Sequence, residues 1–249
     1  MAGQETDRLA FSASATKRIV ILTGAGISAE SGLGTFRDAG GLWSSYDLAE
    51  VATPEGYAAN PALVLDFYNA RRANCRAAVP NAAHRALARL AAGHPGEVTL
   101  ITQNIDDLHE RGGTQQVHHM HGEVMRAFCS ACDTRRPVEG DLSLADRCGA
   151  CGATGQIRPD VVWFGEVPYG LEMIGDALAA ADLFVAIGTS GAVYPAAGFV
   201  TEAARHGAGT LELNLERSEI SGLFDRRRLG PATETVPAWV DEILGETSG

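Results

Sequence analysis

Lysine is almost absent from this sequence. Lys17 is the only one among twenty lysines and arginines, and thirty-one acidic residues leave a formal net charge of −11. A chain so poor in positive charge lacks the surface that neutralises phosphates, which argues against direct nucleic-acid binding. An acidic surface instead attracts basic partners, including lysine-rich protein segments. Long apolar runs are missing too: none approaches the ~20 residues that a membrane span needs. The opening MAGQETDRLAFSASATKR carries no basic flank followed by an apolar stretch, as a secretory leader would. The expectation is a cytoplasmic protein without a membrane partner. Cysteines are few and clustered: four of the five fall at Cys129, Cys132, Cys148 and Cys151, and Cys75 stands apart. That distribution excludes a disulfide framework and points to metal binding in a reducing compartment.

What remains is ordinary for a globular protein, with 45% hydrophobic residues in 249. Short apolar runs at 18–24, 97–104, 183–190 and 210–216 are nearly continuous in β-formers, as parallel strands buried on both faces are. Helical patterns lie between them. One starts at Asn60-Pro61, a capping residue followed by proline in the first turn, and runs to about Arg76. Others cover Ala82–Ala92, Leu171–Ala181, Ala196–His206 and Ala238–Leu244. Strands alternating with helices predict an α/β fold with a doubly wound parallel sheet. Residues 125–158, rich in Cys, Gly and charge, break the rhythm and read as an inserted module.

Several stretches carry chemistry. The first strand runs into GAGISAESGLGTFR (24–37), where Gly24 and Gly26 permit a tight turn and Ser28 offers a helix cap that would present N–H groups to a pyrophosphate. Ala29 stands where the usual dinucleotide fingerprint has glycine, so a plain strand-to-helix turn fits as well. Cys129-x2-Cys132 and Cys148-x2-Cys151 supply four thiolates, which fill a tetrahedral zinc and leave no open position. The role of such a metal is structural. In ITQNIDDLHERGG (101–113) a buried strand releases Gln103, Asn104 and Asp106 at the carboxyl edge of the sheet, where these folds bind ligands. A cap for the next helix fits Asn104 or Asp106 equally well. Downstream, His118, His119 and His121 follow in close order. In an extended chain His119 and His121 share a face; His121, before Gly122, is the accessible candidate base, and His118 and His119 read as surface residues at a strand end.

Taken in order, these motifs resemble the sirtuin family of NAD-dependent protein-lysine deacylases, and the resemblance spans nearly the whole chain. It rests on GAGIS…SG…FR (24–37), TQNID (102–106), HG (121–122), the two C-x-x-C pairs, RPDVVWFGE (158–166), GTS (188–190) and NLE (214–216). The resemblance implies a Rossmann-like NAD-binding domain from 1–32, 82–124 and 159–249. A small domain would come from 33–81, a helical insertion, and 125–158, the zinc module.

The resemblance also assigns roles. Gly24, Ala25, Gly26 and Ser28, with Phe36, Arg37 and Trp43 in the segment that follows, would form the NAD loop. Gln103, Asn104, Ile105 and Asp106 would surround nicotinamide and its ribose, with Asn104 and Asp106 assisting catalysis. Gly188, Thr189 and Ser190 would hold phosphate and ribose, Asn214, Leu215 and Glu216 the adenosine ribose, and Ala232 the adenine. His121 would be the general base. Val161, Val162, Trp163 and Phe164 would belong to a strand that pairs with the acyl-lysine peptide, although Trp163 and Phe164 fit a core equally well. The products would be free lysine, nicotinamide and O-acyl-ADP-ribose, with zinc taking no chemical part. Leu33-Gly34 and Met125 depart from the family pattern and touch only loop flexibility and local packing.

One segment, FYNARR (67–72), resembles the subgroup of class III that removes acidic acyl groups. Tyr68 and Arg71, three apart on a helix, would converge on the distal carboxylate, and Ala52 would deepen the pocket. Succinyl- and malonyl-lysine would then be preferred over acetyl-lysine. Arg72 reads as an exposed neighbour. Other readings compatible with the sequence are a protein ADP-ribosyltransferase and a non-catalytic zinc-ribbon interaction module.

Overall fold

The structure, a computed structural model, describes residues 16–34 and 46–245. The first apolar run forms β1 (Arg18–Thr23) and passes at once into a short helix, α1 (Ala25–Ala29). Helices α2 (Leu48–Val51), α3 (Pro54–Ala59), α4 (Pro61–Ala77) and α5 (Ala82–Gly93) precede β2 (Glu97–Thr102) and α6 (Leu108–Arg111). Three short segments follow in β3 (His118–His119), β4 (Gly122–Cys129) and β5 (Arg135–Pro137), then β6 (Ile157–Val161). The chain ends through α7 (Leu171–Ala180), β7 (Leu183–Ile187), α8 (Phe199–Arg205), β8 (Gly209–Asn214), β9 (Arg226–Leu229) and α9 (Ala232–Leu244).

Six strands form one sheet in the order β3-β2-β1-β7-β8-β9, and every pairing in it is parallel. The strand order runs one way from β1 and the other way from β7, so the two loops leaving these neighbours diverge to opposite sides. A crevice opens between them at the carboxyl ends of the strands. Side chains alternate across the sheet as period 2 demands. Ile19 and Ile21 join Leu87, Leu90, Trp239 and Val240 on the α5/α9 side, while Val20 and Leu22 join Ile174, Leu178 and Val200 on the α7/α8 side.

The last helix starts earlier than expected, at Ala232, and carries Pro237 inside it. A proline there costs a backbone bond, about 3 kcal/mol in a helix interior. Burial of Val236, Trp239, Val240 and Ile243 against the sheet offsets it. The expected helix over 196–206 begins instead as a 3-10 turn, Ala196–Gly198, before α8.

A second, three-stranded sheet in the order β5-β4-β6 occupies 122–161. Helix α4 lies against it, capped by the Asn60 side chain, which accepts from Leu63 N–H. Here one expectation is overturned. Arg72 is not exposed: it is completely buried. Its Nε–H donates to the Val124 carbonyl at 2.8 Å and its Nη1 to Asn69 Oδ1 at 2.8 Å. Asn69 in turn donates to the Leu142 carbonyl and accepts from its N–H. The second arginine of the tandem is thus a strut between α4 and the cysteine-bearing module. A helix of 17 residues carries more than one buried stripe, which a single polar-face reading of FYNARR overlooks.

Candidate active site

The crevice is built by the loops that leave β1, β2, β7 and β8. Gly24 N–H donates to the Ile187 carbonyl and Gly26 N–H to that of Gly188, locking the first loop to the third. The approach is too close for side chains. A Cβ on Gly26 would lie 2.7 Å from the Gly188 Cα, and one on Gly24 2.8 Å from the Gly188 oxygen. Gly188 itself has φ of +62°, a conformation that favours glycine. Ala25 lies beside them, part-exposed. Ser28 does not cap α1, whose N-cap is Gly24 without a side-chain bond. It sits inside the helix, buried, with its hydroxyl on Asp106 Oδ2 at 3.1 Å.

The loop after β2 is tied down on every side. Gln103 N–H donates to the Thr23 carbonyl, and its side-chain amide donates to Thr189 Oγ1 at 3.0 Å. Asn104 Nδ2 donates to the Gly24 carbonyl and to Ser28 Oγ. Ile105 is half-buried, its carbonyl accepting from Val124 N–H. Asp106 serves both readings at once: Oδ1 accepts from Leu108 N–H at the start of α6, and Oδ2 from Ser28. Burial raises its pKa despite those two bonds. Asn214 Nδ2 reaches the Thr189 carbonyl at 2.8 Å and so joins β8 to the same cluster. Ser190 accepts from Ala192 N–H, and Leu215 N–H caps the Asn214 side chain. Leu215 and Glu216 are exposed, and Ala232 is the first residue of α9, packed at the rim of the core.

Three histidines edge the crevice, and none is an idle surface residue. His121 Nδ1 lies 3.0 Å from the Gln103 carbonyl. A carbonyl only accepts, so Nδ1 carries the hydrogen and Nε2 keeps a free lone pair. Burial lowers the His121 pKa, with the Gln103 carbonyl pulling the other way. A neutral imidazole with an open nitrogen is a competent proton acceptor near pH 7. His119 Nδ1 faces the Asn104 carbonyl at 3.2 Å and Nε2 the Glu110 carboxylate at 2.7 Å. Two acceptors require two ring protons, so His119 is an imidazolium. Burial opposes that charge, yet Glu110 outweighs it and the pKa is raised. His118 Nε2 donates to the Tyr169 carbonyl. The surface reading of His118 and His119 fails because both rings hold loops in place.

Next to His121, whose carbonyl accepts from Val162 N–H, the chain packs an apolar cluster. Ala52, Val64, Phe67, Tyr68, Val161 and Trp163 form one buried cluster. Trp163 Nε1 donates to Tyr68 Oη at 3.0 Å. Arg71 follows on the same helical face, its pKa lowered by burial. The strand expected over Val161, Val162, Trp163 and Phe164 ends at Val161. The next three N–H groups turn inward, to the His121 carbonyl, Glu166 Oε2 and the Ala52 carbonyl. Only Phe164 of this stretch is largely exposed.

The four cysteine sulfurs lie within 4.8 Å of one another. Cys129 Sγ is 3.7 Å from Cys151 Sγ, and Cys132 Sγ is 3.7 Å from Cys148 Sγ. A tetrahedron with zinc–sulfur bonds of about 2.3 Å has edges of about 3.8 Å. The donor set fits a closed, structural zinc site, with β4 supplying Cys129 and the knuckles the rest.

The Sir2 family profile matches residues 24–195. An NAD-dependent protein deacylase of Caulobacter vibrioides is 59% identical over 230 residues, covering 91% of this chain and 97% of the relative. A solved complex of a Sir2 homologue with NAD has a TM-score of 0.87 at 35% identity, covering 98% of this chain and 96% of that one. The chain belongs to the Sir2 family, the sirtuins. A further solved sirtuin, bound to a deacetylated p53 peptide and 3'-O-acetyl ADP ribose, has a TM-score of 0.78 at 30% identity, covering 92% and 94%.

Phe36, Arg37 and Trp43, expected in the cofactor segment of a sirtuin, lie outside the described residues. The sequence reading missed the layer beneath the sirtuin loops. Asn81 caps α5, and its Nδ2 donates to the Ile27 carbonyl and Ser31. His84 Nε2 faces Ser28 Oγ at 3.4 Å, and His109 Nε2 faces Thr23 Oγ1 at 2.9 Å. Asn81 followed three residues later by His84 has the spacing of a capping box and was the available signal. Nothing local marks His109, whose partner is 86 residues away.

Proposed function

We propose that this sirtuin removes acyl groups from protein lysines with consumption of NAD, releasing nicotinamide and O-acyl-ADP-ribose. The observation that carries it is the position of His121. Its proton-accepting Nε2 is fixed by Gln103, whose side chain also holds Thr189 in the opposite loop. The base, the loop after β1 and the loop after β7 are therefore one hydrogen-bonded assembly around the crevice, and it adjoins the buried Tyr68/Trp163 cluster through the Val162 N–H on the His121 carbonyl.

NAD brings a cationic nicotinamide linkage whose departure opens the ribose carbon to the acyl oxygen. Gly24, Ala25, Gly26 and Gly188 allow a pyrophosphate to approach bare backbone. Asn104, Ile105 and Asp106 face the nicotinamide end, Thr189 and Ser190 the phosphates and ribose, and Asn214, Leu215, Glu216 and Ala232 the adenosine. Both Asn104 amide hydrogens are engaged, on Gly24 and Ser28, which leaves its Oδ1 as the acceptor to orient a ligand. His121 accepts a ribose hydroxyl proton at Nε2 and passes the positive charge no further, since the Gln103 carbonyl is too weak a base to take the Nδ1 proton. Four thiolates hold zinc in the module that backs α4, remote from any step.

The acyl group preferred is an acidic one, succinyl or malonyl, with acetyl also accepted. Tyr68 and Arg71 lie three apart on one face of α4, and a carboxylate between them would take hydroxyl and guanidinium as charge-assisted bonds. Ala52 leaves the depth for it. Each such bond contributes about 1.5–3 kcal/mol, enough for roughly tenfold discrimination or more.

The test is mass spectrometry of one peptide bearing acetyl-, malonyl- or succinyl-lysine, with and without NAD. NAD-dependent deacylation with succinyl and malonyl leading is expected. Label from NAD appearing on protein would instead favour ADP-ribosyl transfer. Absence of any NAD-dependent change would leave a non-catalytic module.

A further inference from the structure

We propose that Trp163 is a positioning residue for the acyl clamp: its indole N–H fixes the Tyr68 hydroxyl so that the phenol donates its own proton into the pocket. The inference rests on the acidic-acyl reading above and deepens it.

A phenol oxygen offers one proton and accepts through its lone pairs. Indole Nε1 can only donate, and it reaches Tyr68 Oη at 3.0 Å between two side chains that are 2% and 1% exposed. The bond therefore occupies a lone pair of the phenol and leaves its proton to be placed elsewhere. Among the described residues no acceptor takes that proton. Arg71, the other half of the clamp, carries donors only. On the acidic-acyl reading, the acceptor is the distal carboxylate of the substrate. A carboxylate between Tyr68 and Arg71 satisfies the phenol, whereas an acetyl methyl does not.

The indole is itself held firmly. The Arg158 guanidinium stacks 3.4 Å from the Trp163 ring centroid and pairs with both oxygens of Glu166, at 2.8 and 2.9 Å. Glu166 Oε2 also accepts the Trp163 backbone N–H at 2.9 Å. Tyr57 packs on the indole with ring centroids 5.1 Å apart. Ring and backbone are thus pinned by the same ion pair, more than filling a cavity requires. Burial, despite the Trp163 bond, raises the Tyr68 pKa, which keeps the phenol a donor at every working pH.

Steady-state kinetics on one peptide carrying succinyl- or acetyl-lysine would be compared for wild type, Trp163→Phe, Tyr68→Phe and the double variant, with Arg71→Met as reference. Trp163→Phe keeps an aromatic ring over Arg158 and deletes only the N–H and some area. Expected is a rise in the succinyl KM about three- to tenfold larger than any change in the acetyl KM. In the Tyr68→Phe background the Trp163 change should add nothing further. Equal losses on both peptides, or an undiminished effect in the Tyr68→Phe background, would make Trp163 a filler and overturn the proposal. Should Trp163→Phe not fold, Glu166→Gln carries the same test, since both rings and their volume remain. A smaller rise confined to the succinyl KM supports positioning, and a rise on both peptides overturns it. The two levels separate cleanly. Loss of acyl selectivity in Arg71→Met with none in the Trp163 or Glu166 variants sinks only the role of Trp163. Succinyl activity surviving Arg71→Met sinks the clamp and this inference with it.

Discussion

The ring of His121 points its one hydrogen at the carbonyl of Gln103, 3.0 Å away, and turns its bare nitrogen the other way. The tautomer is thereby decided by a backbone atom, while burial decides the neutral charge. Burial lowers the His121 pKa below the 6.5 of a free imidazole, so the base stays neutral further into acid. The acid limb of kcat/KM should fall below pH 6.5 on an acyl-peptide substrate. A pH–rate profile, paired with NMR titration of the imidazole, would check this. A limb well above 6.5 would assign proton transfer elsewhere.

Stability should also depend on acid. Burial lowers His84 to about 4 and His109 well below 6.5, and both rings are neutral in the fold. An unfolded chain takes up protons on these groups below pH 6.5 and the folded one does not, so the folded state loses ground as pH falls from 6.5 towards 4. His84 alone accounts for roughly 3 kcal/mol across that window. His119, raised by Glu110 against its burial, works in the opposite direction and softens the slope. Urea titrations at stepped pH should show the decline, and His84→Gln should flatten it. Constant stability down to pH 4 would contradict neutral burial.

Arg72 and Arg71 stand side by side and should behave differently. Arg72→Met removes the donors to Val124 and Asn69 from a fully buried site. A loss of about 2–4 kcal/mol in unfolding free energy is expected, with acyl selectivity unchanged. Calorimetry and an acyl-peptide comparison would read both. A selectivity change at wild-type stability would move Arg72 into the pocket.

Gly188→Ala should disable the cofactor loop. Its φ of +62° disfavours a side chain, and the new Cβ would lie 2.4 Å from Ile27 N. The first and third loops would have to part. Affinity for NAD should drop at least tenfold by calorimetric titration, while the cysteine module still binds one zinc. Unaltered NAD affinity would show that this contact does not shape the crevice.

Removal of zinc tests the small module. Cys148→Ser, or prolonged chelation, should lower the thermal midpoint and abolish deacylation together, because the cluster of Ala127, Cys129, Val138, Leu142 and Cys148 is the module's core. Metal analysis and melting curves are the readout. Activity surviving with no zinc bound would separate module from catalysis.

Local signals in the sequence account for much of the fold. Buried parallel strands advertise themselves as apolar runs, and Asn60-Pro61 announces α4 because capping is a matter of adjacent residues. The cysteine pairs are legible because the ligands come in close couples. Illegible features were those settled by distant partners. Arg72 looks like Arg71 until Val124 and Gly140 are brought beside it. Ser28 reads as a cap until Asp106 arrives from 78 residues away. The register of 162–164 hangs on the Ala52 carbonyl and a carboxylate at Glu166, neither of which a β-pattern contains.

The small sheet has one last consequence. Its middle strand opens at Gly122, directly after the base, and its neighbour closes at Val161, where the pocket wall begins, and the two residues are paired across the ladder. The gauge between proton acceptor and acyl chamber is therefore struck on a single antiparallel rung. A slip of that ladder by one residue would carry Val161 away from the base that Gly122 follows. The rung itself is the datum from which the rest is measured.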